Sequence, residues 1–211
     1  MGKAWVCGQN WLNLNTLEVD IIIDMPPRFV LMCHGTSETL ADSDPPLNEH
    51  GRHQCFLTAQ TLSEEIKRFT AVYSSPSSVC IQSAEATKEF VPHDKLFVTD
   101  ALIERHVGNV DISYRMSKTA LAAKWPDVDI NFIEDEMPEN WTVMEPLKFV
   151  ETRALLFIRD VVKKHNDSDD DVLILTHHDV LFCLFMGVSF PYGDSMTLDC
   201  EELKELIHYT D

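Results

Sequence analysis

A chain of 211 residues, 45% hydrophobic and 25% charged, has room for one sizeable α/β domain with a short appendage but not for two full domains. Its 17 Lys and Arg stand against 35 Asp and Glu, and this net charge of −18 argues against nucleic acid and membranes as direct partners. No apolar run approaches the ~20 residues of a membrane span, and six scattered cysteines (Cys7, Cys33, Cys55, Cys80, Cys183, Cys200) read as reduced thiols, so an intracellular setting, cytoplasmic or nuclear, is expected.

In chain order, residues 1–24 form an extension ahead of the expected domain, residues 25–211. The extension lacks the charged-then-apolar layout of a secretory signal, and Val6 stands where N-myristoylation at Gly2 requires Ser or Thr. Within it, Val19–Ile23 is a β-branched strand candidate closed by Asp24-Met25-Pro26-Pro27. Arg28–Met32 is a continuous apolar run of the kind found in strands buried on both faces. Asp44–Leu47 is a proline loop, and the spacing of Cys55, Leu57, Leu62 and Ile66 predicts a helix over 51–69.

Ala71–Ser74 is the next strand, followed by a helix from about Ser77 to Phe90 and a short strand at Lys95–Thr99. Residues 113–125 and 146–165 are predicted helical, the latter with Leu147, Val150, Leu155, Ile158, Val161 and Val162 on one face. Val172–Thr176 is the clearest strand. Val180–Met186 reads as a buried helix and Leu198–Tyr209 as a terminal one, with no final edge strand evident between them. Strands alternating with helices imply a three-layer α/β fold, its sheet mostly parallel with helices on both faces.

Three strands end in chemistry-bearing residues: Cys33-His34-Gly35-Thr36, Ser74-Ser75-Pro76 and Thr176-His177-His178. Ligands of open parallel sheets bind beyond the carboxyl ends of the strands, so His34 and His177 are expected to face one crevice.

These residues carry a resemblance. The histidine phosphatase (phosphoglycerate mutase-like) superfamily opens with a strand ending Arg-His-Gly, here Cys33-His34-Gly35. Its Pro-Leu-Thr-x-x-Gly-x-x-Gln segment is matched by Pro46-Leu47-Asn48-Glu49-His50-Gly51-Arg52-His53-Gln54. Its Ser-Ser-Pro segment is matched from Ser74 to Ala84, its Leu-x-Glu by Leu102-Ile103-Glu104, and its strand-Ser-His-Gly by Thr176-His177-His178. The five motifs run in order over roughly residues 28–190.

The resemblance implies roles for particular residues. His34 stands where the family's nucleophile forms a phosphohistidine, Glu104 where a carboxylic acid protonates the leaving oxygen, and His177 where a second histidine contacts the phosphoryl group. Two family arginines are replaced, one by Cys33 and one by Val79, and the glycine after the second histidine is His178. A hydrogen bond to a charged group contributes ~1.5–3 kcal/mol. Losing two from the transition state would therefore slow phosphoryl transfer by roughly 10²–10⁴-fold.

A pseudophosphatase, acting as a scaffold or protein-interaction module, is thus the leading expectation. The alternative is a slow or unusual phosphomonoesterase working through His34.

Several residues keep two readings. Arg52, Arg105 and His178 are candidates to restore positive charge to the phosphate pocket, or are ordinary surface residues. Glu104 is either the acid or a partner of Arg105. Val19–Ile23, with Val19, Ile21 and Ile23, either adds a strand to the sheet edge or docks another protein, and Trp5 and Trp11 either anchor such a partner or pack on their own domain. A protein partner is expected, a phosphorylated ligand and a homodimer are left open, and no cofactor is expected. Cys33, His34, His177 and His178 offer zinc-type donors, but their spacing matches no metal pattern, so no metal is expected either.

Overall fold

The structure, a computed structural model, describes residues 26–38, 44–107, 115–135, 144–166 and 168–208. The predicted strand Val19–Ile23 and the candidate anchors Trp5 and Trp11 lie outside the described residues.

Strand β1 (Arg28–Cys33) is followed by helix α1 (Glu49–Leu62), β2 (Ala71–Ser74), α2 (Ser78–Thr87) and β3 (Leu96–Thr99). A 3₁₀ turn (Asp100–Leu102), α3 (Lys118–Lys124), β4 (Val128–Phe132) and α4 (Leu147–His165) come next. The chain continues through β5 (Asp171–Thr176), α5 (His178–Leu184), β6 (Ser195–Asp199) and α6 (Cys200–His208).

The six strands form one sheet in the order β4-β3-β2-β5-β1-β6. All neighbours pair in parallel except β6, which runs antiparallel to β1. Strand alternation divides the core into two layers. Phe29, Leu31, Cys33, Tyr73, Val172 and Ile174 pack with α4, α5 and α6 on one face. Val30, Met32, Val72, Leu173 and Leu175 pack with α1, α2 and α3 on the other. The continuous apolar runs of β1 and β5 thus serve two cores at once, as expected for strands central to a parallel sheet.

Several predicted boundaries are corrected. The helix predicted to reach Phe69 stops at Leu62, because the chain unwinds so that Phe69 bridges His93 in parallel and Thr70 N–H donates to the Asp171 carbonyl. Ile66 and Phe69 are still buried, so their helical spacing reported burial and not helix. The helix predicted over 113–125 begins at Lys118 among the described residues, where Ser117 Oγ accepts from Ala120 N–H.

The edge strand expected to be missing is present as β6. The terminal helix starts at Cys200 because Asp199 and Glu202 form a reciprocal cap. Asp199 Oδ1 accepts from the Glu201 and Glu202 amides, while Glu202 Oε2 accepts from the Asp199 amide. Among the described residues no helix is long and apolar enough to cross a membrane.

Candidate active site

Parallel strands put their carboxyl ends on one side. In the β1–β5 register Cys33 pairs with Thr176, so His34 and His177 leave the sheet side by side. Their rings meet edge to face with centroids 4.8 Å apart. The convergence expected from topology is therefore present.

His34 is 7% exposed and its Nδ1 lies 2.7 Å from the Gly35 carbonyl. A carbonyl only accepts, so Nδ1 carries the proton and Nε2 keeps its lone pair. Burial pushes the His34 pKa down to about 4, opposed by the Gly35 carbonyl and aided by nearby His178. Main-chain bonds fix the residue further. His34 N–H donates to the Thr176 carbonyl, and Gly193 N–H donates to the His34 carbonyl.

The Pro46–Gln54 motif builds the loop that holds this segment. Asn48 caps α1 by accepting from Gly51 N–H, and Gln54 Oε1 accepts from Thr36 N–H. Gln82 Oε1 accepts from Leu47 N–H, and Ser83 Oγ accepts from Gly35 N–H. Gly35 and Gly51 lie back to back: a Cβ on Gly35 would come within 2.3 Å of the Gly51 carbonyl oxygen.

His177 follows β5 and is also buried. Its Nε2 lies 2.8 Å from Ser75 Oγ, 3.3 Å from Ser77 Oγ and 3.5 Å from Cys80 Sγ, while its Nδ1 faces Glu104 Oε2 at 3.7 Å. Burial drives its pKa well below the ordinary histidine value, with His34 and Arg153 adding to the effect. Both imidazoles are therefore neutral at neutral pH.

Glu104 follows the 3₁₀ turn, which is tied down from both sides. Arg115, fully buried, forks onto Asp100 through Nε (2.6 Å) and Nη2 (3.1 Å), and Thr176 Oγ1 donates to the Leu102 carbonyl. Arg153 donates to the Ala101 carbonyl at 2.8 Å and the Glu104 carbonyl at 3.4 Å. Glu104 Oε1 accepts from Arg105 N–H at 2.8 Å. Burial raises the Glu104 pKa to about 7, partly offset by that amide.

The three candidates for restoring positive charge make their contacts elsewhere. Arg105 Nε donates to the Glu145 carbonyl, and its Nη1 lies 4.0 Å from Asp179. His178 hydrogen-bonds Asp179 and Ser189. Arg52 is exposed on α1. The residues standing in for the family arginines are core residues: Cys33 is fully buried with its thiol pushed up to about 12 by burial, and Val79 is 5% exposed.

The sequence reading did not single out two neighbours of the histidines. The Tyr192 ring lies 5.3 Å from His34, carried by a turn in which Gly193 adopts φ +78°. Cys80, the other, lies against His177. It is a buried α2 residue next to Val79, and only the convergence of α2 on the end of β5 reveals its place.

The histidine phosphatase superfamily (branch 1) model matches residues 29–203. A search of curated proteins gives no significant match. Among solved structures, the chain is similar to the ecdysone phosphate phosphatase of Bombyx mori in complex with tungstate, with TM-score 0.60 at 15% identity over 81% of this chain and 88% of that one. It is similar to YhfR of Bacillus stearothermophilus, with TM-score 0.55 at 22% identity over 82% and 91% of the two chains. A mycobacterial glucosyl-3-phosphoglycerate phosphatase gives 0.56 at 16% identity over 84% and 95%. At these identities the structural likeness concerns the fold.

Proposed function

Because the chain belongs to the histidine phosphatase superfamily, we propose that it is a pseudophosphatase, a domain that keeps the family fold and uses it for recognition. One observation carries this reading: the described side chains that touch His34 and His177 include no guanidinium and no ammonium group. A phosphoryl transition state spreads negative charge over its equatorial oxygens and needs positioned cations or donors to hold it. Two neutral imidazoles, a half-buried carboxyl, the Cys80 thiol and the Ser75 and Ser77 hydroxyls carry no positive charge to offer it. The partner is proposed to be another protein, in keeping with an acidic chain unsuited to nucleic acid.

A second reading has its own support. Among the described residues no hydrogen bond engages His34 Nε2, and the ring is fixed through Nδ1, which is what an attacking imidazole requires. A slow phosphomonoesterase therefore stays open, with Glu104 as acid and His177 beside the phosphoryl group.

Turnover separates the two. Wild-type protein and His34→Ala, assayed across a panel of phosphomonoesters, are expected to give the same background rate. A rate well above background that vanishes in His34→Ala overturns the pseudophosphatase reading. Affinity capture with the full chain from its native cells should then return a stoichiometric protein, and none under gentle conditions counts against a recognition role.

A further inference from the structure

The three side chains that survive from the family pocket form a different kind of site once the arginines are gone. One atom each of His34, Glu104 and His177 lies within 4.8 Å of the others, and all three converge at the carboxyl edge of the sheet. What they offer is lone pairs. An anion placed there would meet acceptors, whereas a cation would meet three ligands.

We propose that His34 Nε2, His177 Nδ1 and Glu104 Oε2 form a binding site for a divalent transition ion, zinc above all, with a fourth position open to water.

The hydrogen bonds around the three residues fit this assignment. A histidine that ligates a metal donates its other N–H to a carbonyl or similar acceptor, which fixes both tautomer and ring orientation. His34 meets that requirement through Nδ1 and the Gly35 carbonyl at 2.7 Å. His177 meets it through Nε2 and Ser75 Oγ at 2.8 Å. The second Glu104 oxygen is held by the Arg105 amide at 2.8 Å, which leaves Oε2 directed at His177. Each ligand is therefore oriented by a bond that metal binding would not break.

The donor set and dimensions also suit zinc. Two imidazoles and one carboxylate with an open position are a recurrent arrangement for it, at ~2.0–2.2 Å from the ion. Tetrahedral ligands then stand roughly 3.4 Å apart, close to the 3.7 Å between His177 Nδ1 and Glu104 Oε2, while the widest pair must close by up to about 1.4 Å. Glu104, with 30% of its side chain exposed and its head held by the main chain of Arg105 and Asp179 alone, is the least enclosed of the three and makes that movement. Cys33 and His178, the other zinc-type donors in the sequence, take no part. The first is fully buried in the core, and the second faces Asp179 and Ser189.

The proposal is independent of whether phosphoryl transfer survives, since it is tested on the purified full-length chain with neither phosphate nor partner present. Metal-stripped protein is loaded with Zn²⁺, cleared of excess ion and assayed against a chromophoric chelator. Retention of one zinc per chain with a Kd of about 1 μM or tighter is expected. His34→Ala and His177→Ala should each weaken it by ~100-fold or more, and Glu104→Gln by at least ~10-fold. Cys183→Ser and His53→Ala should leave it within about threefold. Zinc held equally well by His34→Ala and His177→Ala would be adventitious surface metal and would overturn the proposal, as would failure of wild-type protein to retain zinc.

Should the alanine variants fail to fold, Co²⁺ bound to wild-type protein decides the matter. Visible bands of a four-coordinate ion without a thiolate charge-transfer band support the site. A thiolate band places the ion on cysteines and overturns it.

Discussion

His34 and His177 meet edge to face with ring centroids 4.8 Å apart, and burial keeps both uncharged. In a conventional member of the family such a pair is braced by arginines. Here Arg105 and Arg153 are engaged by Glu145 and Asp179. The metal-free protein is therefore expected to bind orthophosphate and vanadate more weakly than a Kd of about 1 mM. Isothermal titration, or ³¹P linewidths at increasing protein concentration, reads this directly. Saturable micromolar binding would mean that cations reach the pocket from a direction the described residues do not provide.

Restoring the arginines should show that the two positions are not equivalent. Cys33 and Val79 are both buried, but Glu104 lies close enough to Cys33 to disfavour a thiolate there. An arginine at 33 therefore gains a carboxylate partner. Val79 packs in the apolar cluster with Val30, Met32 and Leu47. Val79→Arg should cost on the order of 3–5 kcal/mol for a buried unpaired charge, and Cys33→Arg clearly less. Denaturant melts of the two single variants provide the comparison. Equal losses would mean that Glu104 does not compensate the new charge.

Much of this molecule was legible in its sequence. The apolar runs Arg28–Met32 and Val172–Thr176 marked the two central strands, and residues ending parallel strands had to share an edge, which placed His34 with His177. Two strands were missed. Val128-Asp129-Ile130-Asn131-Phe132 does alternate as β4, but over one short edge strand such a signal is weak. In β6 the predicted terminal helix takes in Leu198 and leaves Met196 without an element, although Asp199-Cys200-Glu201-Glu202 is a readable capping box. The roles of Arg115 and Arg153 gave no local signal at all. Each acts across the fold, holding the turn before Glu104, and such pairings exist only once the chain is folded.

Arg115 leads to a prediction about stability. Its side chain is completely buried and forms a two-point fork with Asp100, with further bonds to the Met116 and Glu134 carbonyls. Removing one partner of a buried pair strands the other, so Arg115→Ala is expected to destabilise the fold by about 3–5 kcal/mol. Restoring shape without charge on both sides, as in Arg115→Met with Asp100→Leu, should recover part of that loss. Chemical unfolding of the single and double variants measures it. An additive double variant would show that the fork is not the reason.

Gly51 tests the packing beneath the nucleophile position. A Cβ there would lie 2.1 Å from the Thr36 carbonyl oxygen and 2.7 Å from its nitrogen, both main-chain atoms that cannot swing aside. Gly51→Ala must then displace the 34–36 segment or the first turn of α1, at a cost of about 3 kcal/mol or more. Zinc retention should fall along with the melting temperature, because the His34 ring is oriented through Gly35. A fully stable Gly51→Ala protein would be incompatible with the close approach of these two segments.

Acid should loosen the fold through histidines that are buried uncharged, and His93 isolates one share of the effect. It is 3% exposed where its strand segment bridges Phe69, and its Nδ1 has no hydrogen-bond partner among the described residues. Burial first and Lys88 second lower its pKa to about 4, against a hydrogen bond with the Val91 backbone. The unfolded chain takes up this proton near pH 6.5, the folded chain only near 4. Between those values the unfolded state binds more protons, so stability rises with pH. The His93 contribution is whole above about pH 6.5 and is lost as pH falls towards 4, at no more than ~1.4 kcal/mol per pH unit. His34 and His106, both lowered to about 4, act in the same direction. His93→Leu removes the proton acceptor and the unpaired ring nitrogen while keeping a similar volume. Relative to wild type it should gain progressively as urea melts move from pH 7 to pH 4.5. A difference between the two proteins that stays constant across that range would mean that His93 is already able to take up its proton in the folded state.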